Sequence, residues 1–161
     1  ADATNARAIR KIFALKKRAK GKPLSVMVGS KTMARRIAVF SNTARALARA
    51  HWPGPLTLVL PARPKVHLPA AVIMNRMIAM RVSSHPIARR IARQLQQPLI
   101  ATSANRSGKG ECYSVTAVKK QLSKQSDILI IDAGILPRRK PSTIARVTDR
   151  VEILRSGSIG V

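Results

Sequence analysis

Apolar residues recur at Ala8, Ile9, Ile12, Phe13 and Leu15, behind Thr4 and Asn5. That spacing predicts an amphipathic helix with an N-cap. It runs into the basic stretch Lys16-Lys17-Arg18-Ala19-Lys20-Gly21-Lys22, and Pro23 closes it. The pattern then changes to a continuous apolar run, Leu24 to Val28, read as a buried strand. Gly29-Ser30 starts a helix through Met33, Ile37 and Phe40. Ser41 or Thr43 caps another through Leu47, ending at His51-Trp52-Pro53-Gly54-Pro55. Leu56 to Leu60 and Met77 to Val82 read as strands, with a loop from Pro61 to Ala71 marked by Pro61, Pro64 and Pro69.

Ser84 is expected to cap a helix that has Pro86 in its first turn and carries Ile87, Ile91 and Leu95. Pro98 to Thr102 is a strand, followed by a Ser/Gly/Asn-rich loop from Ser103 to Glu111. Ser114 caps a helix through Val115, Val118 and Leu122, and Ile128 to Ile131 reads as an apolar strand. A basic loop, Leu136 to Pro141, leads to a hairpin of Thr143–Val147 and Val151–Leu154 with Asp149 in its turn. Strands alternate with helices and finish in a hairpin, without a fixed-period repeat or a dividing linker. The chain is therefore expected to form one α/β domain on a mixed sheet.

Composition supports a packed core: 161 residues, 45% of them hydrophobic. Charge changes the picture more. Lys and Arg number 31 against 6 acids, a net charge of +25 that points to an anionic partner, most simply nucleic acid. Nothing between Ala3 and Gly110 is acidic; the acids are Asp2, Glu111, Asp127, Asp132, Asp149 and Glu152. That stretch cannot supply a glycosidase pair of carboxylates or an oxygen cage for a hard metal. A divalent ion would have to arrive on a phosphorylated substrate. The single cysteine, Cys112, excludes a disulfide framework and a cysteine zinc site, and His51, His67 and His85 lack metal-ligand spacing. Aromatic residues, at 2%, are too few for a base-stacking platform. No apolar run is long enough to span a bilayer and no signal-peptide core follows the N-terminus, so a cytoplasmic location is expected.

Gly29-Ser30-Lys31-Thr32 echoes the end of a phosphate-binding loop, but Gly directly before the Lys and Gly five residues earlier are both missing. Three other stretches carry candidate chemistry. Lys16-x-Arg18, at a helix end before a strand, can clamp a phosphate or carboxylate; it also fits a solvated helix end where cations favour the helix dipole. Ala101-Thr102-Ser103-Ala104-Asn105-Arg106-Ser107-Gly108 opens a small-residue loop after a buried strand, a usual place for ligands in open α/β sheets. Its Ser103 hydroxyl and Asn105 amide suit phosphate or carbonyl oxygens, and an ordinary capped turn would look the same. Pro141-Ser142-Thr143, after Arg138-Arg139-Lys140, is a hydroxyl pair beside a basic loop or a plain edge loop.

Together these stretches resemble the YrdC-like family, the L-threonylcarbamoyladenylate synthases of tRNA modification. Asp2-Ala3-Thr4-Asn5 with Ile12-Phe13 resembles the family's first helix, and Lys16-x-Arg18 with Pro23-Leu24 its KxR…PL segment. Trp52-Pro53-Gly54-Pro55-Leu56-Thr57 matches WPGPLT, Arg81-Val82-x-x-His85-Pro86 resembles RVPxHP, and Ser103-Ala104-Asn105-x-Ser107-Gly108 matches SANxSG. Pro141-Ser142-Thr143-Ile144 and Leu154-Arg155-x-Gly157-x-Ile159 resemble the closing PSTI and LRPGAI. The resemblance implies a twisted open mixed sheet with flanking helices around a basic hollow. It implies conversion of L-threonine, bicarbonate and ATP to threonylcarbamoyl-AMP and pyrophosphate, with Mg2+ carried on the ATP. A separate transferase would then modify the adenosine beside the tRNA anticodon.

By the same resemblance Lys16, Arg18, Ser103 and Asn105 form a catalytic tetrad, while Arg81, Thr102, Ser142 and Arg155 contact ATP or threonine. His85 is expected to make a structural hydrogen bond, and Trp52 to close the core. The chain departs from the pattern at Ser83 and Ser156, where the family has Pro. It also starts just past a T-x-T-V-Y-G-L segment, so the family's N-terminal strand and helix are expected to be missing, leaving a sheet edge or apolar groove uncovered. The other function open to such a chain is a non-catalytic YrdC-like domain that binds tRNA or other RNA, with affinity falling steeply in salt.

Overall fold

The computed structural model describes residues 1–19, 21–122 and 128–161. Lys20, in the basic stretch, and Asp127, among the acids, lie outside the described residues. Helix α1 (Ala6–Lys16) starts at Asn5, whose side chain accepts from the Ala8 N–H, and ends at Lys17 in the left-handed conformation. Strand β1 (Ser25–Val28) leads to α2 (Lys31–Ile37), capped by Ser30, and α3 (Asn42–His51), capped by Ser41. β2 (Leu56–Pro61), β3 (Ile73–Met74) and β4 (Met77–Val82) follow. Then come α4 (Pro86–Leu95), β5 (Leu99–Ala101), α5 (Val115–Leu122), β6 (Thr143–Val147) and β7 (Val151–Arg155).

The strands form one open mixed sheet in the order β5-β1-β4-β2-β6-β7, with β3 pairing onto β4. β1 and β4 run parallel, as do β2 and β6; the remaining neighbours are antiparallel. Alternation along the strands separates two faces. One carries Val26, Val28, Leu58, Leu60, Ile78, Met80, Ala145 and Val147, buried with Ile9 of α1, Met33 and Ala34 of α2, and Ala44 and Ala48 of α3. Trp52 closes this core as expected: it is 3% exposed, meets Phe40 edge to face, and donates its indole N–H to the Leu56 carbonyl.

The opposite face is read off the register. Met27 pairs with Leu99 on one side and Arg81 on the other, and Thr57 pairs with Ile144, which pairs with Arg155. Since Leu58 faces Met80, Thr57 falls beside Arg81. Ala92 of α4 packs on Met27 and Leu99 at the β5–β1 end. Beyond it the row continues with polar and cationic side chains: Arg81, Thr57, Arg155.

Three local expectations are corrected. α2 stops at Ile37, so Phe40 lies outside it; Val39 instead donates its N–H to Pro61 O. The cap of α4 is His85 rather than Ser84, and no side chain caps it; Pro at the first helical position has no N–H to satisfy. Ile128–Ile131 forms no strand: Leu129 and Ile131 are exposed, and the 128–131 segment has no partner strand.

Candidate functional site

The end of α1 and the loop after β5 meet although they are nearly ninety residues apart. The Lys16 ammonium donates to the backbone carbonyls of Ser103 and Asn105, each at 2.5 Å, and lies 3.4 Å from Asn105 Oδ1. Ser103 Oγ donates to the same Oδ1, and Asn105 Nδ2 donates to Lys109 O. Ser107 N–H bonds the Lys16 carbonyl, so main chain holds what the side chains align. α5 secures the far side: Gln121 accepts from the Arg106 N–H and donates to Gly110 O. Lys16 is 4% exposed and Asn105 7% exposed, so these polar groups are withdrawn from water and satisfied by one another.

Burial lowers the Lys16 pKa, and the nearby Arg18 charge lowers it further, while Cys112 acts in the opposite sense. Arg18 is thus electrostatically coupled to the cluster, but its Nη2 donates to Pro23 O and its buried Nε has no partner.

A second group lies on the sheet. Ser142 Oγ is 3.0 Å from Thr57 Oγ1, and Arg155 donates to the Ser142 carbonyl at 2.7 Å and reaches its hydroxyl at 3.2 Å. Burial lowers the Arg81 pKa, and Arg155 adds to the shift. Arg155 is therefore within electrostatic reach of Arg81. Thr143 ties the carbonyl of Ile159 and the N–H of Gly157 back to this strand.

The structure thus brings Lys16, Ser103 and Asn105 into contact, keeps Arg18 within electrostatic reach of them, joins Ser142 to Arg155, and puts Arg155 within electrostatic reach of Arg81. Thr102 is exposed at the end of β5, with no bond to either group. The expected structural bond of the His85 side chain is absent: the imidazole is exposed, and only its backbone N–H is held, by Ser83 Oγ at 3.1 Å. That bond is one Pro at position 83 could not accept by a side chain. Sequence reasoning missed Thr57 and Gln121. Thr57 carried a signal, a polar residue inside the apolar run Leu56–Leu60; Gln121 carried none. Among the described residues no group of three or more His, Cys, Asp or Glu could hold a metal ion, and no helix is long and apolar enough to cross a membrane.

Comparison with known proteins adds to this geometry. The family model for Sua5, YciO and YrdC, described as telomere recombination, matches residues 1–157. A threonylcarbamoyl-AMP synthase of Chromobacterium violaceum is 36% identical over 141 residues, 87% of this chain and 72% of that protein. One from Vibrio vulnificus is 32% identical over 161 residues, 97% of this chain and 84% of that protein. The crystal structure of P. abyssi Sua5 complexed with L-threonine superposes with a TM-score of 0.87 at 31% identity; it covers 98% of this chain, which spans 46% of that one.

Proposed function

The chain belongs to the Sua5/YciO/YrdC family, and from that premise we propose that it is an L-threonylcarbamoyladenylate synthase acting on L-threonine, bicarbonate and ATP. The observation that carries the reading is the contact of Lys16 with Ser103 and Asn105 beside the unpartnered Nε of Arg18. Three anionic reactants must meet for this reaction. Their mutual repulsion is what fixed cations cancel, and a site without a carboxylate suits them.

The threonine amine attacks the bicarbonate carbon with loss of water. The carbamate oxygen then attacks the α-phosphorus, and the bond to pyrophosphate breaks. Lys16 and Arg18 neutralise the meeting carboxylate and phosphate oxygens, and Ser103 and Asn105 hold the lysine and loop in place. Arg81, Ser142 and Arg155 hold the triphosphate along the sheet, with Thr102 at the margin of the nucleotide. Mg2+ enters on the ATP, and positioning plus charge stabilisation does the chemistry, as in phosphoryl transfer generally. The product passes to a separate transferase that modifies tRNA, in the cytoplasm, and the whole 1–161 chain acts as one YrdC-like domain.

The net charge of +25 favours a second reading, an RNA-binding domain without adenylate formation. Pyrophosphate release from ATP in bicarbonate buffer, with and without L-threonine, separates the two. Threonine-dependent release supports the synthase; release indifferent to threonine, or none from folded protein, rejects it.

A further inference from the structure

The loop that carries Asn105 is closed by a turn. Lys109 N–H bonds the Arg106 carbonyl at 3.0 Å, and Gly108, third in the turn, has φ +79°, the region a type II turn requires there. The turn is held from three directions. From α1, the Lys16 carbonyl accepts from Ser107 N–H at 2.8 Å. From inside the loop, Asn105 Nδ2 donates to the Lys109 carbonyl. From the last turn of α5, Gln121 takes both legs: its Oε1 accepts from Arg106 N–H at 3.0 Å, and its Nε2 donates to the Gly110 carbonyl at 3.1 Å.

These two partners ask opposite things of one side chain. A backbone N–H needs an acceptor and a carbonyl needs a donor, and a primary amide supplies both. Glu at this position could only accept when ionised, Lys could only donate, and Met or Leu could do neither. Arg106 is half-buried and Gly110 exposed, so water can serve their backbone groups once the amide is gone. The two bonds therefore fix where the turn lies more than they stabilise the fold.

We propose that Gln121 is a positioning residue for adenylate formation: by clamping Arg106 and Gly110 it fixes the turn that holds Asn105, and Asn105 with Ser103 fixes the Lys16 ammonium. The proposal rests on the synthase reading above. The linkage is short. If the turn drifts, the Asn105 amide loses the Lys109 carbonyl, and the Asn105 carbonyl and Oδ1 move relative to Lys16 Nζ. A misplacement of about 1 Å at a reacting centre can cost on the order of 100-fold in rate. The groups assigned to the triphosphate stand apart from the turn: Arg81 is on β4, Arg155 on β7, and Ser142 just before β6.

The test compares Gln121→Met and Gln121→Leu with the unmodified chain in threonine-dependent pyrophosphate release. A fall in kcat of about tenfold is expected, with KM for ATP within about twofold. Thr116→Gly, at an exposed position of α5, is the control: it weakens the helix and removes no bond to the loop. It is expected to keep kcat. The second readout is the titration of Lys16, followed by NMR of protein labelled at the lysine ε-carbon and assigned with Lys16→Arg. Arg18 and Cys112 are the charged and titratable groups that act on Lys16, and both are unchanged in these variants. The Lys16 titration is expected to move in the Gln121 variants, downward where the ammonium loses its acceptors and upward where water replaces them, and to stay in place in Thr116→Gly. Unchanged kcat in the Gln121 variants overturns the proposal. So does a loss matched by Thr116→Gly with the Lys16 titration unmoved, which would make Gln121 a helix anchor only. If the unmodified chain shows no threonine-dependent release, the synthase reading fails, and the Lys16 titration alone decides: a shift upholds the hold of Gln121 on Lys16, and none overturns it.

Discussion

Lys16 is a cation kept where water is largely excluded, and its neighbours explain how. Two carbonyls accept from it, yet burial and Arg18 still lower its pKa from the ordinary lysine value. Lys16→Ala removes the fixed charge, and pyrophosphate release is expected to fall at least about 100-fold, the scale set by losing one preorganised stabilising group. Near-wild-type turnover would sink the role assigned to it. The pH dependence has a definite sign. With a folded pKa below the unfolded value, Lys16 sheds its proton first in the native state. Stability then rises with pH between the lowered value and 10.5, while activity falls over the same window. Lys16→Arg should move the alkaline limb of activity upward. At this scale the residues told only part of the story: Lys16-x-Arg18 and Ser103-x-Asn105 each fitted an ordinary capped or solvated turn. Their meeting is a long-range contact that no local pattern encodes, and the family resemblance supplied it.

Elements were legible where periodicity and caps agreed. Asn5, Ser30, Ser41 and Ser114 each accept from a backbone N–H two or three residues into their helices. α4 broke the rule because its cap position is His85, whose side chain makes no capping bond; Pro86 presets the helical φ at the first position, and Ser83 accepts from the His85 N–H. Ile128–Ile131 broke it because an apolar run specifies a strand only when a partner edge exists, and none is present among the described residues. Gly157 shows how an element end shapes the site. A Cβ there would lie 2.3 Å from Pro141 O and 2.4 Å from Thr143 N, both backbone atoms that cannot swing aside. Gly157→Ala is expected to cost about 1–3 kcal/mol in denaturant unfolding, the range for overpacking. It should also raise the KM for ATP, because Ser142 and Arg155 lean on the displaced segment. Unchanged stability and KM would show that the chain end slides freely past β6.

The whole molecule carries +25 on 161 residues, so folding concentrates like charge that the unfolded chain spreads out. Two kinds of relief are separable. Simple salt screens all exposed charges alike, since the Debye length falls from about 10 Å at 0.1 M to about 3 Å at 1 M. Thermal midpoints should therefore climb with sodium chloride. A polyphosphate anion acts locally as well, because burial and the nearby Arg155 charge both lower the Arg81 pKa, and a bound anion offsets that penalty on Arg81. At about 100 times its Kd, pyrophosphate would stabilise the native state by about 2.7 kcal/mol, a rise of roughly 5–10 °C for a chain of this size. Arg81→Met should abolish most of that increment and leave the chloride-driven rise intact. Equal responses of the variant and the unmodified chain to pyrophosphate would mean that the anion acts by screening alone, and that the sheet face bearing Arg81 and Arg155 is not where phosphates are held.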